Sequence, residues 1–186
     1  MALSNFANPV GKRVMGVDAS THSIAYAIFD DKKIMEYGEV TFDGGTVYER
    51  IHNAKRIVKA LKGRFDVDFI AIEAAVMVRS AQTGLKMAYI FGAIMGELLD
   101  SGATIVEVHP LKWQGYIGNP NFTKTQKTQV RNMYPDKSDT WIKAEIRNMR
   151  KKKTMDFMAG LGVHTDSDNV ADASGIAWYA ANELTR

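Results

Sequence analysis

Four carboxylates stand where a folded chain has little reason to keep a charge. Asp18 closes the apolar run Arg13 to Val17 and opens a small polar turn, Ala19-Ser20-Thr21. Glu73 closes another apolar run, Val67 to Ile72, just before Ala74-Ala75. A carboxylate at a buried strand edge loses hydration and needs a partner. Asp168 and Asp172 lie four residues apart near the C-terminus, the second between Ala171 and Ala173. On a helix that spacing puts both on one face, where like charges repel by roughly a few tenths of a kcal/mol. A divalent cation offsets such repulsion. Magnesium takes oxygen ligands and needs only a few carboxylates plus water. Two such ions, about 4 Å apart, activate a water and stabilise the leaving oxygen in phosphodiester hydrolysis.

Each acid also has a plainer reading. Asp18 alone would cap a turn, and Asp168 alone would cap a helix. The set of four is far more specific than any member. His22, His52, His109 and His164 share no ligand spacing, although His164 falls close to the acidic pair. The chain has no cysteine, which excludes disulfides, zinc–thiolate sites and a cysteine nucleophile.

The elements that must position these acids are legible from periodicity. Residues 13–17, 24–29, 34–42, 67–72 and 105–108 read as strands. Residues 48–61 read as an amphipathic helix, with Ile51, Ala54, Ile57, Val58 and Leu61 on one face. Residues 81–99 form a long, mostly apolar helix, in which Gly84, Ala88, Gly92, Ala93 and Gly96 would permit close packing. A short helix over 110–116, helices over 123–133 and 140–158 separated by Pro135, and a last helix over 169–184 complete the chain. Ser167 or Asp168 is the natural cap of the last helix. Three successive strands form an antiparallel meander, and the two later ones, each reached through a helix, are parallel crossovers. The predicted fold is therefore α/β, a mixed five-stranded sheet with helices on both faces.

The 186 residues suit a single domain. We expect it to run from residue 13 to 186, after a flexible lead-in over residues 1–12, and to carry a basic helical extension around 123–160. No apolar run reaches the ~18 residues a membrane span needs. Net charge is only +3, but Thr123 to Lys153 holds ten Lys/Arg against three acids, leaving the rest of the chain acidic. Such asymmetry suits a polyanionic partner, or simply a solvated helix face.

In order and spacing, the segments GVDAST, IEAAVMVRSAQTGLKMAYIFGAIMGEL, VEVHPLKWQGYIG, KTQKTQV and DNVADASGIAWYA resemble the RuvC family of Holliday junction resolvases. The resemblance implies an RNase H-like fold and a magnesium-dependent endonuclease of branched DNA, with two ions per site and manganese as a substitute. It implies a homodimer, because a two-fold symmetric junction must be nicked twice, and a cytoplasmic setting, of a bacterium or of the host of a phage. Asp18, Glu73 and Asp172 match the family's first, second and last acids. The family's third acid or histidine lies three residues before the last, where this chain has Asn169. Asp168 matches the spacing of mitochondrial-type resolvases and is the favoured fourth ligand, with Asn169 and Asp166 as alternatives. Lys112 and Lys127 fall where the family places lysines near the scissile strand. Arg79 and Lys86, which follow Glu73, and Lys124, Arg131, Arg150 and Lys151 in the basic segment are further candidates to touch DNA. The family's stacking aromatic after the second acid is replaced here by Val76-Met77. Trp113 and Tyr116, at helical spacing, fit a core role better than base stacking.

Three other readings fit parts of the pattern. GVDAST together with Asp43-Gly44-Gly45-Thr46 resembles the phosphate loops of actin-like and sugar-kinase ATPases, but the chain is short for their two lobes. A structure-specific DNA-binding module without catalysis would use the acids only as caps. An RNA-processing nuclease of the same fold would differ in substrate alone.

Overall fold

In the computed structural model, which describes residues 12–74 and 80–185, β1 (Arg13–Ala19), β2 (Ser23–Asp30) and β3 (Lys33–Thr41) follow one another through tight turns. They pair antiparallel, with Asp18 opposite Ala25 and Ala25 opposite Glu39. Thr46 then caps α1 (Val47–Arg64) in a reciprocal capping box with Glu49. β4 (Phe69–Glu73) returns parallel to β1, and α2 (Ala81–Leu99) leads to β5 (Thr104–Val108), parallel to β4. The sheet order is β3-β2-β1-β4-β5. α3 (Pro110–Tyr116), α4 (Lys124–Met133), α5 (Asp139–Ala159) and α6 (Asp168–Glu183) follow. The fold predicted from periodicity is the one observed, and boundaries move by at most a few residues. No described helix is long and apolar enough to cross a membrane.

Alternation along the strands splits the core in two. Met15, Val17, Ile24, Ile70 and Ile72 face α1 and α2, where Val58, Leu61, Ile90, Ile94 and Leu98 close a layer of aliphatic side chains. Val14, Ala25, Ala27, Phe29 and Ala71 face the other way, against Trp113, Met158, Ile176 and Ala177 of the later helices. This second face is paved with small residues around Gly16. A Cβ on Gly16 would sit 2.2 Å from the Ala173 carbonyl oxygen and 2.5 Å from the Ala177 nitrogen. The backbone of α6 therefore lies directly on β1. Gly175, on the far side of the helix, accepts the ring of the fully buried Trp113, which a Cβ there would meet at 2.6 Å. Trp113 is core, as its spacing suggested. Tyr116 is 41% exposed and packs edge-on against Tyr179.

Two substitutions separate this close approach from ordinary helix effects. Gly16→Ala is expected to destabilise by about 3 kcal/mol or more, because the obstructing atoms are backbone. Gly63→Ala, where an added Cβ meets nothing within 4 Å inside α1, is expected to be neutral or to stabilise by about 0.5–1 kcal/mol. Urea unfolding curves with unchanged m-values would check both.

Candidate active site

Parallel strands β1 and β4 run to the same end of the sheet, where Asp18 is the penultimate residue of β1 and Glu73 the last of β4. Asp18 and Glu73 each stand one residue beyond the Val17–Ile72 pair, and Glu73 is itself paired with Val108 of β5. Because α6 rests on Gly16, its first turns pass over this end. Ser167 caps the helix, accepting from the Val170 amide, so Asp168 is the first helical residue and Asp172 follows one turn later. The four side chains are half-buried and line a single cavity of about 600 Å³.

The electrostatics are those of a shared site. Burial, followed by the charges of Asp168 and Glu39, pushes Asp18 up to about 6 against the pull of Lys151. Burial and the charges of Asp18 and Asp172 push Glu73 up to about 8. Burial, then Asp18 and Asp168, push Asp172 up to about 7, with Lys151 and Arg150 opposing. Glu73 and Asp172 thus each feel two of the other site acids, and Asp18 feels Asp168 together with Glu39. Among the described residues, no three acidic or histidine side chains are drawn tightly enough together to clasp an ion as they stand. A set of carboxylate oxygens only, mutually repelling and half out of water, nonetheless fits a hard divalent cation better than any other common ion.

One acid in this neighbourhood has a different part. Glu39, across the sheet from Asp18, accepts the Ser167 hydroxyl at 2.6 Å and the Asn169 amide at 2.8 Å. Burial raises its pKa, but hydrogen bonds from Ser167, Asn169 and Ser23 outweigh that, and the net shift is downward. Glu39 stays ionised and ties the start of α6 to β3, on either side of Asp168. Asn169 lines the cavity with its amide committed to this clamp, and Asp166 and His164 line a separate cavity beside Met155. Of the alternatives for the fourth position, Asp168 is the one that joins the other acids. Glu39 escapes sequence reasoning because it sits in an otherwise ordinary alternating strand. Its only signal is its register opposite Ala25.

The opposite wall of the cavity is basic. Lys127 comes from α4, and Lys143, Arg147, Arg150 and Lys151 come from α5 at spacings that share one helix face. Lys151 forms an ion pair with Asp168. Arg150 donates to the Gln114 side chain at 2.5 Å and to the Asn119 carbonyl at 3.3 Å, so its charge is fixed at the rim. Phe122, half-buried, lines the same space. The run Arg150 to Lys153 does not act as a block. Lys152 turns outward to Asp156, and neither it nor Lys153 lines the cavity. Lys143 and Arg147 could have been found by extending Arg150 and Lys151 back by helical turns. The other candidate cations lie elsewhere. Lys86, Lys112 and Lys124 are exposed and outside the cavity, and Arg131 pairs with Asp139. Arg79, like Val76 and Met77, lies outside the described residues. His22 contacts Arg50, and His109 caps α3. The Asp43-Gly44-Gly45-Thr46 stretch is the entry and cap of α1, with Arg50 bonded to the Gly44 carbonyl, and not a phosphate loop.

A five-stranded mixed sheet with acids at its strand ends, crossed by an acid-bearing helix, defines the RNase H-like class. Within that class, the chain belongs to the RuvC family: the profile of crossover junction endodeoxyribonuclease RuvC matches residues 14–137. Asp18, Glu73 and Lys127 fall inside that match, whereas α5 and both acids of α6 lie beyond it. The fold is similar to that of Thermus thermophilus RuvC in complex with a Holliday junction substrate, with a TM-score of 0.64 and 15% identity over 93% of this chain and 97% of that one. It is also similar to the yeast mitochondrial Holliday junction resolvase Ydc2, with a TM-score of 0.60 and 11% identity over 97% of this chain and 85% of that one. No curated protein sequence matches the chain significantly. The family assignment displaces the ATPase reading.

The raised acids carry a pH signature. A carboxyl whose folded pKa exceeds its unfolded one favours folding most when protonated, and that stability is lost as pH rises through the folded value. For Asp18, Asp172 and Glu73 the window runs from about pH 4 to about pH 8. Metal-free protein should therefore melt lower at pH 8 than at pH 5.5. Asp172→Asn, by removing one repelling charge, should raise the pH 8 Tm by roughly 3–6 °C. Differential scanning calorimetry in EDTA checks both, and an unchanged or lower Tm for the variant would show that the acids do not repel.

Proposed function

We propose that the chain is a divalent-metal-dependent endonuclease that resolves four-way junctions and related branched DNA. The observation that carries this reading is the grouping of Asp18, Glu73, Asp168 and Asp172 on one wall of a cavity whose other wall is basic, in a chain of the RuvC family. Asp18, Glu73, Asp168 and Asp172 would hold magnesium, as one ion or a pair, or manganese in its place. When bound, the metal supplies Lewis-acid polarisation of the phosphoryl group and activation of the attacking water. The protein supplies position. Lys127, Lys143, Arg147 and Arg150 attract the phosphate backbone and hold the strand against the acidic wall. Phe122 offers an apolar face to a base beside the scissile phosphate. Glu39 acts indirectly, by fixing α6. A module without catalysis would have no use for four acids gathered at one half-buried cavity.

The basic wall also argues for a strand fed across α5, so that the predicted extension forms part of the substrate seat. Arg79, Lys86, Lys112, Lys124 and Arg131 would touch DNA arms only outside the cavity.

The symmetry of the substrate calls for two copies. The exposed face of α2 suits that role. Leu85, Tyr89 and Leu99 are 52%, 46% and 65% exposed, and they share a helical stripe with Gly92 and Gly96, where an added Cβ would meet nothing within 4 Å. A contiguous apolar stripe of this kind is costly in water unless covered, and a two-fold axis lets the same stripe cover itself.

Incubation of end-labelled four-way junction, flap, linear duplex and RNA with protein and Mg²⁺ tests the activity. Paired nicks in the junction are expected, with roughly a hundredfold or greater loss in Asp18→Asn. Cleavage of RNA in preference to junction, or an active Asp18→Asn, would refute the assignment. For the assembly, sedimentation velocity is expected to give a dimer for the native chain and a monomer for Leu85→Glu/Tyr89→Glu. A native monomer at micromolar concentration would contradict it.

A further inference from the structure

Lys151 differs from every other cation of the basic wall. From α5 it pairs with Asp168 of α6, and its charge also reaches Asp18 and Asp172, where it opposes the rise in both pKa values. Its neighbours are otherwise engaged: Arg150 is braced on Gln114 and Asn119, and Lys152 is bonded to Asp156 on the outer side of α5. As the structure stands, one ammonium group does part of the work that a divalent ion would do for the acids.

The two cannot both sit comfortably. An ion bound among Asp18, Glu73, Asp168 and Asp172 repels an ammonium group on Asp168 at short range, in a half-buried setting where screening is weak. Lysine is suited to leave. Its charge is compact and well hydrated, and its four-carbon stem is flexible, whereas an arginine fork would hold the carboxylate in a fixed geometry. Lys151 also lines the same cavity as Lys127, Lys143 and Arg147, so a displaced ammonium remains among the cations that face the strand.

We propose that Lys151 is an exchangeable counter-ion: it neutralises Asp168 before the divalent ion arrives, and then transfers to a phosphate oxygen of the bound strand. Ion binding and strand binding are thereby coupled through one side chain. This rests on the reading of the four acids as a divalent-ion site. No bond is made or broken; one ion pair is exchanged for another.

The test uses full-length protein and Mn²⁺ as the probe. In the absence of DNA, Lys151→Met removes a competitor for Asp168. Calorimetric titration is expected to show Mn²⁺ binding roughly threefold or more tighter than in the native chain. Its metal-free Tm should fall and its Tm rise on adding Mn²⁺ should widen. Lys152→Met, the outward-facing control, should bind Mn²⁺ like the native chain. With Ca²⁺ present, Lys151→Met should bind a four-way junction more weakly, and its slope of log affinity against log salt should shrink by about one. If methionine impairs folding, Lys151→Gln serves, since it keeps most of the stem and removes the charge. Mn²⁺ affinity equal to or weaker than native in the charge-free variant overturns the exchange, even if junction affinity falls, because Lys151 would then be a phosphate contact or a structural pair only. A native chain that binds no Mn²⁺ would instead overturn the divalent-site reading itself.

Discussion

Burial first, and then the charges of neighbouring acids, lift Asp18, Glu73 and Asp172 above the ordinary carboxylate range around one half-buried cavity. Like charges at one cavity disfavour the close approach of α6 to the sheet. What opposes them is contact between backbones. At Gly16 there is no side chain between β1 and α6, and the small residues Ala25, Ala27 and Ala71 extend the same close surface. Trp113 presses on the other side of α6 at Gly175. Glu39 adds a polar clamp at the helix start, through Ser167 and Asn169. Backbone packing, the Glu39 clamp and the Lys151–Asp168 ion pair together keep the acids at one cavity.

Around this centre the charges are layered. Acids lie on the sheet edge and on α6, and cations lie on α4 and α5 across the cavity. On the proposed function, a phosphate backbone would be drawn in by the basic residues and presented to the acids, where a divalent ion would make the two negative partners compatible. Lys151 bridges the layers. The family match ends at residue 137, so the basic residues of α5 lie beyond it.

Much of this was legible in the sequence, for identifiable reasons. The strands and helices have strong periodicity and good caps, and Thr46, Ser80, Thr123, Ser138 and Ser167 each begin a helix as their side chains allow. Asp18, Glu73 and Asp172 stood out because each interrupts an apolar pattern. Asp168 was separable from Asp166 and Asn169 only once the helix start was fixed at Ser167, since a shift of one residue rotates the side chain by about 100°. Glu39 was hidden because its role comes from register with β2 and contact with α6, neither of which has a local signal. Lys143 and Arg147 were counted as charge but not placed, because a basic helix alone does not say which face meets a site. The dense charge from Arg150 to Lys153 does not say which members face a site: consecutive residues on a helix point in different directions, and only the first two reach the cavity.

The central claim is that four acids from separate stretches of the chain hold a common divalent ion. Crystals of the protein grown or soaked with Mn²⁺, with data collected to give anomalous difference density for manganese, test it most directly. A peak is expected in the cavity within bonding distance of Asp18 and of at least two among Glu73, Asp168 and Asp172, with the Lys151 ammonium withdrawn from Asp168. Manganese bound elsewhere, or a cavity free of anomalous density at saturating Mn²⁺ with Lys151 still on Asp168, would contradict it.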